Sequence, residues 1–446
     1  MPEDRTDYDI VIHNGTILTI NETFDIIDNG VVCITNGVFS RIERRRYDRP
    51  LPTATHSIDA CQGIIMPGLI NTHTHVPMCL FRGLADDLPL ATWLNDYIFK
   101  VEARWLNSEN VHLATLLSCA EMMLSGTTTF CDGYFFEDAV ASAVEECGMR
   151  AVLGQGIIDF PAPGVPDTEK NVDEAAQFIK GWKDKTSLIT PALFCHSPYT
   201  CSEKTLAKAR RLSDETGALF QIHVAETQAE VTRCRQKHHL SPVLYLERIG
   251  VLNPLTLVVH AIWVDDADIE CMAKRGVRVS VTTESEMKLA SGVAPLPAFL
   301  DRGIAVGIGT DGAASNNNLD MFQEMGFAAR LHKAILLDPT VLGARQVLTL
   351  ATMGGAEAIG LAGEIGSLEV GKKADLIIVD TSKPHLTPLY DPFSHLVYAA
   401  SGGDVRVVVI NGRIVVKNRK LQTIDIEAVM DAVDDLAHRI ASLDET

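Results

Sequence analysis

Gly63-Ile64-Ile65-Met66 leads into Pro67-Gly68-Leu69-Ile70-Asn71-Thr72-His73-Thr74-His75, an apolar run that ends in two imidazoles two residues apart. On a strand, alternate residues share a face, so His73 and His75 point the same way at the strand's end. From there both reach one ion, and neutral imidazole suits zinc, iron or nickel. In a chain with 14 histidines such a pair also arises by chance. The rest of the chain decides between the two readings.

Downstream of this stretch, short apolar runs alternate with amphipathic ones. Eight strands are predicted: 64–71, 127–131, 151–158, 188–195, 220–224, 255–259, 277–281 and 304–308. Helical patterns separate them, among them 111–124, 138–147, 172–182, 203–216 and 266–274. Eight β-then-α units predict an α/β fold, a (β/α)8 TIM-like barrel, with a doubly wound open sheet as the alternative. Both ends of the chain read differently. Residues 8–20 alternate around Asn14-Gly15, two further runs flank Asn36-Gly37, and 405–410 and 413–416 flank Asn411-Gly412, all hairpin signals. Since isolated hairpins are marginal, the two ends are expected to pack together as one small β-sandwich. The expected organisation is a composite sandwich from 1–63 and 364–420, a catalytic barrel over 64–363 and a C-terminal helix over 421–446.

Composition narrows the function classes. The 446 residues exceed one typical domain, yet an α/β barrel alone takes roughly 250. No run of about 18 uncharged apolar residues is present to cross a membrane, and Met1 to Asp9 lack a secretory pattern, so a cytoplasmic protein is expected. The ten cysteines include no Cys-X-X-Cys pair and read as reduced core thiols. A net charge of -19 repels phosphate backbones and anionic lipid, so neither nucleic acid nor membrane is an expected partner. The basic run Arg41 to Arg49 reads as a solvated turn.

In a barrel of this kind the active site lies at the C-terminal ends of the strands. Those ends carry His73 and His75 (first strand), His196 (fourth), His223 (fifth), His260 (sixth) and Asp311 (eighth). One histidine at a strand end is unremarkable as a core or loop residue; five together with an aspartate are not. His73, His75, His223 and Asp311 would hold one divalent metal ion per subunit and leave a position for water, which marks a catalytic site. Such an ion lowers the pKa of its water to about 7. Asp311 then serves as proton acceptor, His260 orients the water or stabilises developing charge, and Glu226, three residues past His223, shuttles a proton. Zinc is the expected ion, and Fe2+, Mn2+ or Ni2+ also suit the donor set.

These residues, with Gly309-Thr310-Asp311-Gly312 and Gly366-Ser367-Leu368-Glu369-Val370-Gly371-Lys372-Lys373-Ala374-Asp375-Leu376, resemble the amidohydrolase superfamily over essentially the whole chain. His196 stands where a bridging lysine carbamate would be, which favours the mononuclear deaminase-like branch. Within it, His196-Ser197-Pro198-Tyr199-Thr200-Cys201, Met287-Lys288-Leu289-Ala290-Ser291-Gly292 and Gly309 to Asn317 resemble 5′-methylthioadenosine/S-adenosylhomocysteine deaminases. The resemblance implies hydrolytic deamination of an adenine nucleoside to its inosine analogue and ammonia. It also implies that Glu226 serves the purine ring, that Glu102 binds the ribose hydroxyls, and that Trp93, His196 and Ser315 line the pocket. A carboxylate suits a vicinal diol because it accepts two charge-assisted hydrogen bonds.

Two departures from the family pattern stand out. No arginine occurs between Ala151 and Cys195, where relatives can draw arginines toward substrate, and Glu284-Ser285-Glu286 replaces the familiar Ser-Asn before Met287. The same site would also serve guanine or another oxopurine, a pyrimidine or an s-triazine, and a non-catalytic scaffold is the remote alternative. A small-molecule substrate and a homo-oligomer are the expected partners.

Overall fold

The computed structural model describes residues 8–442. Met1–Asp7 of the expected sandwich segment and the last four residues of the expected 421–446 helix lie outside the described residues. The first four strands are β1 (Tyr8–Leu18), β2 (Ile26–Thr35), β3 (Val38–Arg44) and β4 (Ala54–Asp59). Asn36-Gly37 is the β2–β3 hairpin turn, with φ of 52° and 76°. Asn14-Gly15, by contrast, is not a turn: it is a bulge within β1, with register shifts on either side and Asn14 at φ 62°. There β1 changes neighbours, pairing with β4 over Tyr8–His13 and with β5 (Ile64–Pro67) over Thr16–Ile17. A Cβ on Gly15 would lie 2.8 Å from both Ala60 Cβ and Gly63 O, so glycine is required by close approach of the backbone.

The run expected as a single strand over 64–71 is in fact two. β5 joins the terminal sheet, Gly68 breaks the line, and β6 (Leu69–Thr74) opens the barrel, so the sheet takes four residues beyond the expected boundary at 63. The cause is local: Gly68 packs against Thr128, whose side-chain atoms lie 2.1–2.6 Å from where a Cβ would be. The barrel continues in parallel as β7 (Thr127–Tyr134), β8 (Arg150–Ile157), β9 (Ile189–Cys195), β10 (Phe220–Val224), β11 (Thr256–His260), β12 (Arg278–Val281) and β13 (Val306–Ile308), in sequential order. Its strands are almost wholly buried, as parallel strands covered by helices must be. β6 and β13 meet without a continuous ladder, and two side-chain hydrogen bonds and one between backbones make up the difference. Asn71 Nδ2 donates to Thr310 Oγ1 (2.8 Å), Thr310 N donates to Asn71 Oδ1 (3.0 Å), and Asp311 N donates to the His73 carbonyl (3.0 Å).

The chain then returns to the terminal sheet with β14 (Leu376–Val379), β15 (Val405–Ile410), β16 (Arg413–Lys417) and β17 (Lys420–Leu421), giving nine strands from both ends. β14 lies antiparallel to β5, Ile377 opposite Met66. Alternate residues on β14 and β15 serve two cores: Leu376, Ile378, Val407 and Val409 face the sheet's own apolar interior, while Ile377, Val379, Val408 and Ile410 pack toward the barrel helices. A buried fork seals the junction, with Arg150 Nε 2.6 Å from Asp375 Oδ2 and Asn411 N donating to Asp375 Oδ1. The helix Ile426–Ser442 packs on Ser108–Leu124 through Val429, Val433, Leu436 and Ile440. The basic run Arg41–Arg49 begins inside β3 rather than in a turn, with Arg46 paired to Asp48. All ten cysteines are free. No helix among the described residues is long and apolar enough to cross a membrane.

Candidate active site

Four of the expected groups converge at the C-terminal mouth of the barrel. The ligand nitrogens of His73, His75 and His223 lie within 4.8 Å of one another. His73 Nε2 is 3.1 Å from His223 Nε2, and Asp311 Oδ1 is 3.4 Å from His75 Nε2 and 3.7 Å from His73 Nε2. Separations of this size are the edges of a coordination shell with bonds of about 2.0–2.2 Å. His75 Nδ1 lies 2.7 Å from the Gly133 carbonyl, which requires the proton on Nδ1 and leaves the Nε2 lone pair facing the cluster. Burial pushes His73 and His223 well below the usual imidazole pKa, and neighbouring imidazoles push the same way; burial lowers His75 as well. Neutral imidazoles are what a cation requires. Burial alone would raise the Asp311 carboxyl, but His75, His260 and a hydrogen bond from Ser285 outweigh it and hold the pKa low. Three neutral nitrogens and an anionic oxygen fit a divalent metal.

The backbone leaves these strands abruptly. Ala225, His260 and Asp311 have φ of 53°, 71° and 61°, a left-handed conformation that costs a residue with a side chain about 1–3 kcal/mol. It re-aims the side chains into the mouth. His260 Nε2 lies 3.9 Å from Glu226 Oε2, and His260 Nδ1 lies 3.0 Å from Thr282 Oγ1 and 3.5 Å from Glu286 Oε1. Burial opposes protonation of His260, but Glu226, Glu286 and Asp311 overcome it and push its pKa up to about 9. Burial raises Glu226, with Asp311 and Glu286 adding to it against the pull of His260.

A chamber opens from this cluster, and Trp93, Glu102, His196, Glu226, His260, Asp311 and Ser315 all line it. Trp93 begins a π-helical segment, Trp93–Ile98, that runs into the helix Phe99–Trp105 carrying Glu102. His196 is held by Thr200 Oγ1 at 3.0 Å, and burial lowers its pKa to about 4. Ser315 does more than line the wall, since its hydroxyl donates to Asp311 Oδ2 (2.9 Å) beside that of Ser285 (2.7 Å).

Several supporting residues escape a reading of the sequence. Tyr134, at the end of β7, donates its hydroxyl to Glu102, whose pKa burial raises to about 7. Glu286 braces His260, although in the sequence it is only an altered motif position. One signal was legible: Thr227-Gln228-Ala229-Glu230 has the capping-box pattern, and Thr227 does cap the helix Gln228–His238. The Glu230 carboxylate instead accepts from the backbone N–H groups of Ala225 (2.8 Å) and Glu226 (2.9 Å), fixing the turn that presents Glu226.

Comparison with known proteins agrees with this arrangement. The amidohydrolase family profile matches residues 64–415. A 5-methylthioadenosine/S-adenosylhomocysteine deaminase of Syntrophobacter fumaroxidans is 46% identical over 97% of this chain and 98% of its own. A 5′-deoxyadenosine deaminase of Methanosarcina barkeri is 43% identical over 97% of this chain and 99% of its own. The crystal structure of a Xanthomonas campestris adenosine deaminase with bound zinc superimposes with a TM-score of 0.95 at 36% identity, covering 98% of this chain and 99% of that one. Matched along most of its length by the family profile and over nearly all of it by these relatives, the chain belongs to the amidohydrolase family.

Proposed function

We propose that the protein hydrolytically deaminates an adenine nucleoside, releasing ammonia and the inosine analogue. The observation that carries this reading is one chamber that joins the cluster of three histidines and Asp311, Glu226 beside it with its pKa raised by burial, and a second buried carboxylate, Glu102, suited to a ribose diol. His73, His75, His223 and Asp311 would hold one metal ion, with zinc favoured by the zinc-bound relative of 36% identity. When bound, the ion acidifies water and so supplies the nucleophile at neutral pH.

The remaining steps belong to side chains. Asp311, anionic and fixed by the Ser285 and Ser315 hydroxyls, takes a proton from the attacking water. Glu226, whose burial favours the protonated form, donates to the ring nitrogen adjacent to the carbon under attack, then helps carry a proton to the departing amine. His260, whose protonated form Glu226 and Glu286 favour, faces the negative charge that develops on the attacked centre. Glu102, oriented by Tyr134, anchors the sugar so that the base reaches Glu226.

Loss of adenine absorbance together with ammonia release, measured on the metal-loaded protein with a panel of adenine nucleosides and guanine, tests the reading. Turnover of guanine but of no nucleoside would overturn it. Glu226→Gln is expected to lower kcat by about 10²- to 10⁴-fold while metal content stays at the wild-type level. Glu102→Ala is expected to raise KM for nucleosides by about a hundredfold and to leave any free-base turnover unchanged, because a base without ribose has no diol to bind.

A further inference from the structure

The outer half of the chamber differs in kind from the half that meets the donor cluster. Phe99 lies one turn before Glu102 on the same helical face, and its ring meets that of Phe160 edge-on, centroids 5.6 Å apart at 64°. Ile158, Phe160, Pro161 and Pro163, from the segment that follows β8, line the chamber together with Leu94 and Ile98. Among the described residues no lysine or arginine lines the chamber. Of the nearby cations, Lys288 is paired with Asp86 and Asn317, Arg104 lies over the Trp105 ring, and Arg233, exposed, stacks on Tyr199 at the rim rather than on the Phe99–Phe160 wall.

With the base at Glu226 and the ribose diol at Glu102, the 5′ carbon of the sugar is the part of a nucleoside left to face this wall. We propose that Phe99, Phe160 and the Ile158–Pro163 segment form a 5′-substituent subsite selecting adenine nucleosides whose 5′ group is small and uncharged, a hydrogen or short thioether, over those carrying a zwitterionic amino-acid chain. This proposal rests on the deaminase reading and narrows its substrate class. A carbon-lined wall offers no partner for a carboxylate or an ammonium, so a charged tail lying against it gives up part of its hydration with no hydrogen bond or ion pair in return. A methyl or methylthio group loses nothing on leaving water. Proline at 161 and 163 limits the segment's freedom to refold around a larger tail.

Initial rates for the full-length metal-loaded enzyme with 5′-deoxyadenosine, 5′-methylthioadenosine, adenosine and S-adenosylhomocysteine test this. Expected is a kcat/KM for the two apolar nucleosides at least about a hundredfold above that for S-adenosylhomocysteine, and about tenfold above that for adenosine. S-adenosylhomocysteine turned over within about tenfold of 5′-methylthioadenosine would overturn the subsite and leave the deaminase reading standing; inertness toward all four would overturn both. Phe160→Arg, at a partly exposed position whose change spares the core, is expected to shift the ratio about tenfold toward S-adenosylhomocysteine. An unchanged ratio in that variant would remove Phe160 from the subsite.

Discussion

His260 shows how much a single residue owes to its neighbours. Its imidazole touches Thr282 and Glu286 on one side and Glu226 on the other, and three carboxylates keep it protonated against the cost of burial. Glu286 also accepts a hydrogen bond from Thr282 N, so its carboxylate is fixed whether or not substrate is present. Glu286→Gln keeps the shape and removes the charge. It is expected to reduce kcat by about 10- to 100-fold with little change in KM or metal content, and to shift the alkaline limb of the kcat profile to lower pH, as His260 loses its proton more readily. A purely structural role would leave that limb in place. That His73, His75, His223, His260, Glu226 and Asp311 would meet at one mouth was legible because strand-end positions could be counted. Glu286 and Tyr134 were not, because each acts through a partner 26 or more positions away.

At the scale of elements, the decisive pieces are the joints between regular segments. β6 and β13 close the barrel through Asn71, Thr310 and the His73 carbonyl, so the first and last barrel strands are coupled at His73 and Asp311, two of the proposed ligands. Gly309 makes this possible: a Cβ there would lie 2.6 Å from His73 N and 2.8 Å from His73 O, backbone atoms that no rotamer change relieves. Gly309→Ala is expected to destabilise the protein by about 1–3 kcal/mol and to weaken metal binding at the same time, read as a lower Tm and a lower metal content after dialysis. Sequence patterns located the strands and helices well, as with 203–216 and 220–224, which match the helix Glu203–Thr216 and the strand Phe220–Val224. They failed where a glycine serves packing rather than turning. Asn14-Gly15 carries the same two letters as the true hairpin turns, and Gly68 divides an uninterrupted apolar run, because neither the neighbouring β4–β5 backbone nor Thr128 is visible locally.

Across the whole molecule, folding gathers buried ionisable groups whose titration couples pH to stability. Burial raises Glu102, Asp132 and Glu230 to about 7, so the native state binds protons there that the unfolded chain has already released, and stability falls as pH rises toward and through 7. His260, raised from 6.5 to about 9, contributes stability that is complete below 6.5 and lost as pH rises through 9. The metal-free protein is therefore expected to lose Tm by several degrees between pH 6.5 and 9 in a thermal scan. Zinc at a hundred times its dissociation constant should restore about 2.7 kcal/mol, an effect absent in His223→Ala. The amino-acid sequence by itself determined the alternation of strands and helices, the pairing of the two chain ends and the residue types of the candidate metal site, because periodicity and strand-end position are local properties. Only the tertiary structure decided which carboxylate braces His260, where β5 of the terminal sheet gives way to β6 of the barrel, and that carbon rather than charge lines the outer chamber. Those features depend on the distances between segments far apart in the chain, which are set only when the barrel closes.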